Sequence, residues 1–225
     1  ILVVLNSFFE TFMSKNKKDI LTRDSILSGK IHEIVREEDS SMRLLTEEER
    51  KESLLSMFSD RKIDQDVWVF GYGSLIWNPA IHFERKDIMT IYGFHRKFCL
   101  KTYLGRGNKE APGLVLALDH GGSCRGIAFK IPAKTAAHEL EIIWRREMLS
   151  GSYIPKWLNG KIKGISVKAL GFVINKQEDR YIGDLTDVET AALISKASGF
   201  LGTCSEYLIN TSEHLEDLGI PDNKL

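Results

Sequence analysis

After Asp66 the chain breaks into a series of short β-rich runs, "VWVFGYG", "IMTIYGF", "KFCLKTYL", "GLVLALD" and "CRGIAFKI", with no helix-length stretch between one and the next. Parallel strands need crossovers of a dozen or more residues, whereas antiparallel strands need only turns. The separators here are turn-like, "GRGNKEAPG" and "DHGGS" among them. This spacing predicts an α+β fold built on a small, mostly antiparallel β-barrel with flanking helices, not a doubly wound parallel sheet.

Helical patterning surrounds the β-rich stretch. Upstream, residues 13–65 are strongly charged, and in "LTEEERKESLLSMF" Thr46 and Glu49 have the spacing of a capping box, so a helix begins near Thr46. Downstream come a helix at "AKTAAHELEIIWRREML", a turn-like "SGSYIP", a further β-rich run at "ISVKALGFVI" and helical patterning from about Asp187 onward. The expected organisation is residues 1–12 as upstream or non-native sequence with Met13 as the native start, a charged helical N-terminal arm over 13–65 and a main domain over 66–225. The apolar opening "ILVVLNSFF" lacks a basic flank and a cleavage site, so no targeting segment is expected.

The 31 basic and 31 acidic residues cancel, so no global field draws the chain to nucleic acid or an anionic membrane, and a small neutral or zwitterionic partner fits better. Cys99, Cys124 and Cys204 are scattered and odd in number, which argues for a reducing, cytoplasmic setting rather than a disulfide framework. The six histidines show no ligand spacing, so no metal site is expected.

Two features carry chemistry. In "VFGYGSLIW" a good strand stops at Gly71 and Gly73. A P-loop requires a Lys-Ser/Thr pair after its second glycine, a nucleophile elbow requires glycine on both sides of the serine, and a dinucleotide loop requires a third glycine. None is present. Two readings remain: glycines that permit positive φ and close approach so that backbone amides grip an anion such as a carboxylate, or a tight bulge at a barrel corner. The second feature is Glu147. On a helix whose apolar face is Leu140, Ile143 and Trp144, the next positions of the stripe are Glu147 and Met148, while Glu139, Glu141, Arg145 and Arg146 fall to the flanks or the opposite side. A carboxylate turned toward apolar neighbours has a raised pKa suited to acid–base work; the alternative is an ion pair or a place at the rim of the stripe. A Cys/His hydrolase using Cys99 with His95 or His82 lacks an orienting third residue, and a core cysteine with a surface histidine is the simpler expectation.

"VFGYGSLIW", together with "WRREMLSGSY" and "SEYL", resembles the ChaC family of γ-glutamylcyclotransferases, whose members act on glutathione. The resemblance runs from about Asp66 to Asp222, taking in "PGLVLALDHGG" and "LGIPD", and leaves out the N-terminal arm. It implies that residues 66–225 form the catalytic domain, with Val69, Phe70, Gly71, Tyr72, Gly73, Ser74 and Leu75 as the substrate-binding loop, Glu147 as proton acceptor and Tyr207 as a substrate-binding tyrosine. On sequence alone Tyr207 reads equally as a half-buried helix tyrosine bonded locally. The implied reaction is attack of the γ-glutamyl α-amine on its own γ-carbonyl, splitting glutathione or a related γ-glutamyl peptide into 5-oxoproline and cysteinylglycine with no metal and no cofactor. The alternative within the same fold is a non-catalytic γ-glutamyl-compound binder or cation-transport regulatory module.

Overall fold

The computed structural model describes residues 20–225, so the expectations for residues 1–12 and for Met13 lie outside the described residues. Five strands, β1 (Val67–Gly71), β2 (Arg85–Thr102), β3 (Gly113–Ile131), β4 (Tyr153–Ile162) and β5 (Ile165–Ile174), close into a barrel in the order β1-β3-β2-β4-β5. Most neighbours are antiparallel; β5 runs parallel to β1 at Val69–Leu170 and to β3 at Leu118–Val173, and these contacts complete the closure. The expected α+β barrel with flanking helices is the observed architecture.

The strands differ from the expectation in length. "IMTIYGF" and "KFCLKTYL" belong to the single strand β2, and "GLVLALD" and "CRGIAFKI" to the single strand β3. "DHGGS" is not a turn. Gly93 on β2 faces Gly121 and Gly122 on β3, all with positive φ, where the register jumps between Tyr92 and Phe94. The glycines therefore bulge and bend two continuous strands instead of ending them. Likewise, the turn-like "SGSYIP" already enters β4 at Tyr153.

Six α-helices, α1 (Arg23–Leu27), α2 (Lys30–Glu38), α3 (Glu47–Ser56), α4 (Ala133–Glu147), α5 (Asp187–Lys196) and α6 (Cys204–Asp217), a 3₁₀ turn at Ser74–Ile76 and a two-stranded pair, Ser198–Gly199 with Gly202–Thr203, complete the described chain. The capping box at Thr46 is present, with Glu49 N donating to Thr46 Oγ1 at 3.1 Å and Thr46 N donating to the Glu49 carboxylate at 2.8 Å. The same reciprocal pair at Thr203 and Glu206 starts α6.

Helix α4 is the pivot. Leu140, Ile143 and Trp144 pack on Val67 and Val69 of β1, Phe129 of β3, and Leu170 and Phe172 of β5. Trp144 meets Phe172 edge to face, with ring centroids 5.2 Å apart. Ile26, Leu54 and Phe58 join the same cluster, so the helices before Val67 share this core. The indole of Trp144 donates to Ser53 Oγ at 3.3 Å and that of Trp157 to the Met57 carbonyl at 2.9 Å. A second cluster, with Phe70, Met89, Ile91, Leu116 and Leu118, reaches Tyr207 of α6.

Because α4 is covered on a second side, Glu139 and Arg146, expected at the flanks or on the opposite side of the stripe, are buried there. Glu139 accepts two bonds from the Arg23 guanidinium, at 2.6 and 2.8 Å, and one from the His82 amide at 2.9 Å. Burial pushes this carboxyl up, but Arg23 and the His82 amide outweigh it and leave it below the ordinary value. A carboxylate held down in this way stabilises the fold above its unfolded pKa, and that contribution is lost as pH falls through the folded pKa. Arg23→Ala is expected to cost about 3 kcal/mol at neutral pH, the penalty of leaving a buried charge unpaired. Denaturant melts should show the gap to wild type shrinking on acidification through the carboxylate range; a pH-independent gap would mean the pair is not its origin.

Candidate active site

The turn after β1 and the last turn of α4 meet in a cleft of about 580 Å³ whose lining includes Ser74, Arg146, Glu147, Tyr153 and Tyr207. Tyr72, Gly73 and Leu75 line a smaller adjoining pocket that shares Ser74, Glu147, Tyr153 and Tyr207 with it. Val69 and Phe70 do not reach it: they are β1 residues whose side chains enter the two hydrophobic clusters, with Gly71 ending the strand. Of the seven loop residues singled out, the structure thus gathers Tyr72, Gly73, Ser74 and Leu75 around Glu147, and Val69, Phe70 and Gly71 hold the turn in place from behind.

The need for glycine at Gly71 and Gly73 is spatial. Neither has positive φ, and Gly73 stands at −135°. A Cβ on Gly73 would lie 2.9 Å from the Tyr207 hydroxyl, and one on Gly71 would lie 3.0 Å from Leu75 Cβ. Glycine here lets bare backbone pass directly beneath a phenol and then tighten into the 3₁₀ turn Ser74–Ile76.

Glu147 is the final residue of α4, and burial raises its carboxyl above the ordinary value. The opposing influence is Arg146, whose Nε donates to Glu147 Oε1 at 2.9 Å. The same guanidinium donates from Nη2 to Ser74 Oγ at 2.9 Å and from Nη1 to the Asn78 carbonyl. Ser74 Oγ is therefore an acceptor for a cation, with no histidine among its hydrogen-bond partners to activate it.

Three phenols surround the carboxylate. Tyr72 donates to the Phe172 carbonyl at 3.0 Å and Tyr153 to the Leu116 carbonyl at 3.1 Å. Tyr207 is buried, and the Leu116 backbone hydrogen-bonds its hydroxyl. Its ring sits between Trp77 and Phe98 at centroid distances of 5.9 and 6.0 Å. Burial pushes all three phenols above the ordinary tyrosine value, so they remain protonated at neutral pH.

Arg146 and Tyr153 were not singled out from sequence, although both stand inside the quoted "WRREMLSGSY". Cys99 takes no part. It is fully buried with Leu100, Ala117 and Ile174, its thiol is pushed up to about 12 by burial, and half-buried His95 bonds the Gly121 carbonyl at 3.1 Å. Among the described residues no three His, Cys, Asp or Glu side chains gather in a metal-binding arrangement, and no helix is long and apolar enough to cross a membrane.

Removing the cation isolates the desolvated carboxyl. Arg146→Gln is expected to raise the Glu147 pKa further, read as the midpoint of its side-chain carboxyl carbon shift in an NMR titration. An unchanged midpoint would show that Arg146 does not set it.

A family model described as "ChaC-like protein" matches residues 67–225. The chain is 37% identical over 207 residues to the glutathione-specific gamma-glutamylcyclotransferase of Escherichia coli (strain K12), covering 92% of this chain and 89% of that one. It is 31% identical over 180 residues to the enzyme of the same name from Schizosaccharomyces pombe, covering 70% of this chain and 86% of that one. Among solved structures, a yeast gamma-glutamyl cyclotransferase specific to glutathione superposes with a TM-score of 0.62 at 21% identity, over 68% of this chain and 87% of that one, a likeness of fold.

Proposed function

The chain belongs to the ChaC-like protein family, and we propose that it is an enzyme, a glutathione-specific γ-glutamylcyclotransferase that splits glutathione into 5-oxoproline and cysteinylglycine. The observation that carries this reading is Glu147: a desolvated carboxylate with a raised pKa, facing a cleft beside a glycine turn, with no activated serine or cysteine next to it.

The reaction needs no nucleophile from the protein. Glu147 takes a proton from the substrate's α-ammonium. The freed amine nitrogen then forms a bond to the γ-carbonyl carbon, closing a five-membered lactam and placing negative charge on the carbonyl oxygen. Collapse of that intermediate breaks the bond to the cysteine nitrogen, which takes the proton held by Glu147. The ionised carboxylate then passes the second proton of the ring nitrogen to the departing amine, so that the lactam is neutral, cysteinylglycine leaves as an ammonium and Glu147 returns to its starting state. No water, electron or other reactant enters. Folding the γ-glutamyl chain into attack geometry uses the intramolecular advantage, on the order of 7 kcal/mol or more when well aligned.

Each part of the site has a task in this scheme. A carboxylate with a raised pKa is a better match for an ammonium proton than an ordinary one. The Gly73–Leu75 turn supplies backbone donors for the substrate carboxylate or the developing oxyanion, and such fixed donors need no rearrangement as charge develops. Ser74, whose oxygen accepts from Arg146, directs its own hydrogen to substrate. Tyr207 packs against the same turn and closes the cleft over the substrate's apolar stem. A cytoplasmic setting belongs to the same reading, since the reduced glutathione pool resides there.

Incubation of the purified protein with glutathione should yield 5-oxoproline and cysteinylglycine in equal amounts. Glu147→Gln is expected to lower kcat by about 10²- to 10⁴-fold with little change in KM, and Ser74→Ala to cost less. Binding without turnover would favour the non-catalytic module instead, and near wild-type turnover in folded Glu147→Gln would remove its role. Because the base must be ionised, kcat/KM should rise with pH through a midpoint above the ordinary carboxylate range, and this limb should be absent in Glu147→Gln. A wild-type midpoint within the ordinary range would contradict a desolvated base.

A further inference from the structure

Three guanidinium groups reach the cavities around Glu147, and their partners differ. Arg146 meets Glu147, and Arg106 lies 3.5 Å from Glu206. Arg180 has no carboxylate within ion-pair distance among the described residues; its Nη2 donates to Ser150 Oγ at 2.7 Å and to Ser152 Oγ. Two buried hydroxyls thus hold in place a cation whose pKa burial lowers. Glu178 acts on it only from beyond ion-pair distance, and a desolvated cation with no carboxylate in contact is costly unless an anion arrives to meet it.

Arg180 lines a side chamber of about 170 Å³ that shares Glu147 and Tyr153 with the main cleft. The rest of its lining is largely apolar and comes partly from the N-terminal helices, through Ile31 and Val35 of α2. A chamber with one apolar wall, one unpaired cation and a catalytic carboxylate at its mouth suits a short peptide with a single anionic end.

We propose that this chamber is the leaving-group subsite, in which the Arg180 guanidinium binds the C-terminal carboxylate of a γ-glutamyl peptide while α2 packs against the preceding side chain. This rests on the γ-glutamylcyclotransferase reading. In glutathione the leaving part is cysteinylglycine, whose terminal carboxylate lies two residues from the scissile nitrogen, at most about 7 Å when extended. The carboxylate must then be met by a group in the same cavity as Glu147, and Arg180 is there. A planar guanidinium donates to a carboxylate through a fork of two parallel bonds, which fixes the leaving group's direction as well as its charge.

The test compares glutathione with its glycinamide form, which keeps every atom of the reacting end and removes only the terminal charge. Wild type should favour glutathione by about tenfold or more in kcat/KM, mainly through KM, as expected for a charge-assisted hydrogen bond. Arg180→Gln and Arg180→Leu should bring the ratio of glutathione to amide kcat/KM close to one. Each ratio is internal to one protein, so partial loss of folded material cancels. Equal use of both substrates by wild type, or variants that keep the wild-type ratio, would overturn the subsite and leave the cyclotransferase reading intact. A wild type that releases 5-oxoproline from neither would overturn both.

Discussion

The Arg146 guanidinium joins two parts of the chain that lie far apart in sequence. From the last turn of α4 it reaches Glu147 through Nε, Ser74 through Nη2 and the Asn78 carbonyl through Nη1. The group is almost fully withdrawn from solvent, so these bonds act in a medium where they are strong and where leaving any one unmade is costly. They set the register between the glycine turn and the helix end. They also limit how far burial raises the Glu147 pKa, keeping a desolvated carboxylate able to ionise.

A base on the final residue of a helix is only as well placed as the helix. α4 is fixed by its apolar face against the barrel and by a polar anchor on either side, Arg146 toward the turn after β1 and Glu139 toward Arg23 of the N-terminal helices. The arm is therefore tied to the helix that carries Glu147 and contributes Leu21 and Ile31 to the lining of the main cleft. When the nucleophile arrives with the substrate, the protein has to supply geometry, one proton acceptor and fixed donors. The site has that economy, with neutral phenols around the Glu147 carboxylate.

Much of this was legible in the sequence, for identifiable reasons. The capping box at Thr46 is a local device and can be read from two residues. The turn-rich spacing after Asp66 gave the barrel, and the apolar stripe exposed Glu147 as the carboxylate that interrupts it. The strand boundaries were misread because Gly93, Gly121 and Gly122 serve as bulges within β2 and β3, and a glycine pair looks the same whether it ends a strand or bends it. The burial of Glu139 and Arg146 was not legible, because α4 is buried on two sides and which helices cover the second side is tertiary information. Arg180 offers no signal at all, since its meaning lies in having no carboxylate within ion-pair distance, which only the fold reveals.

The claim that most distinguishes this account is that the substrate's own amine, and not water, attacks the γ-carbonyl. Turnover of glutathione in water enriched in oxygen-18 tests it directly, with the γ-glutamyl product examined by mass spectrometry. The account predicts 5-oxoproline carrying no label from solvent. Glutamate bearing one oxygen-18 in its side-chain carboxylate would show that water is the nucleophile and that Glu147 serves a hydrolase.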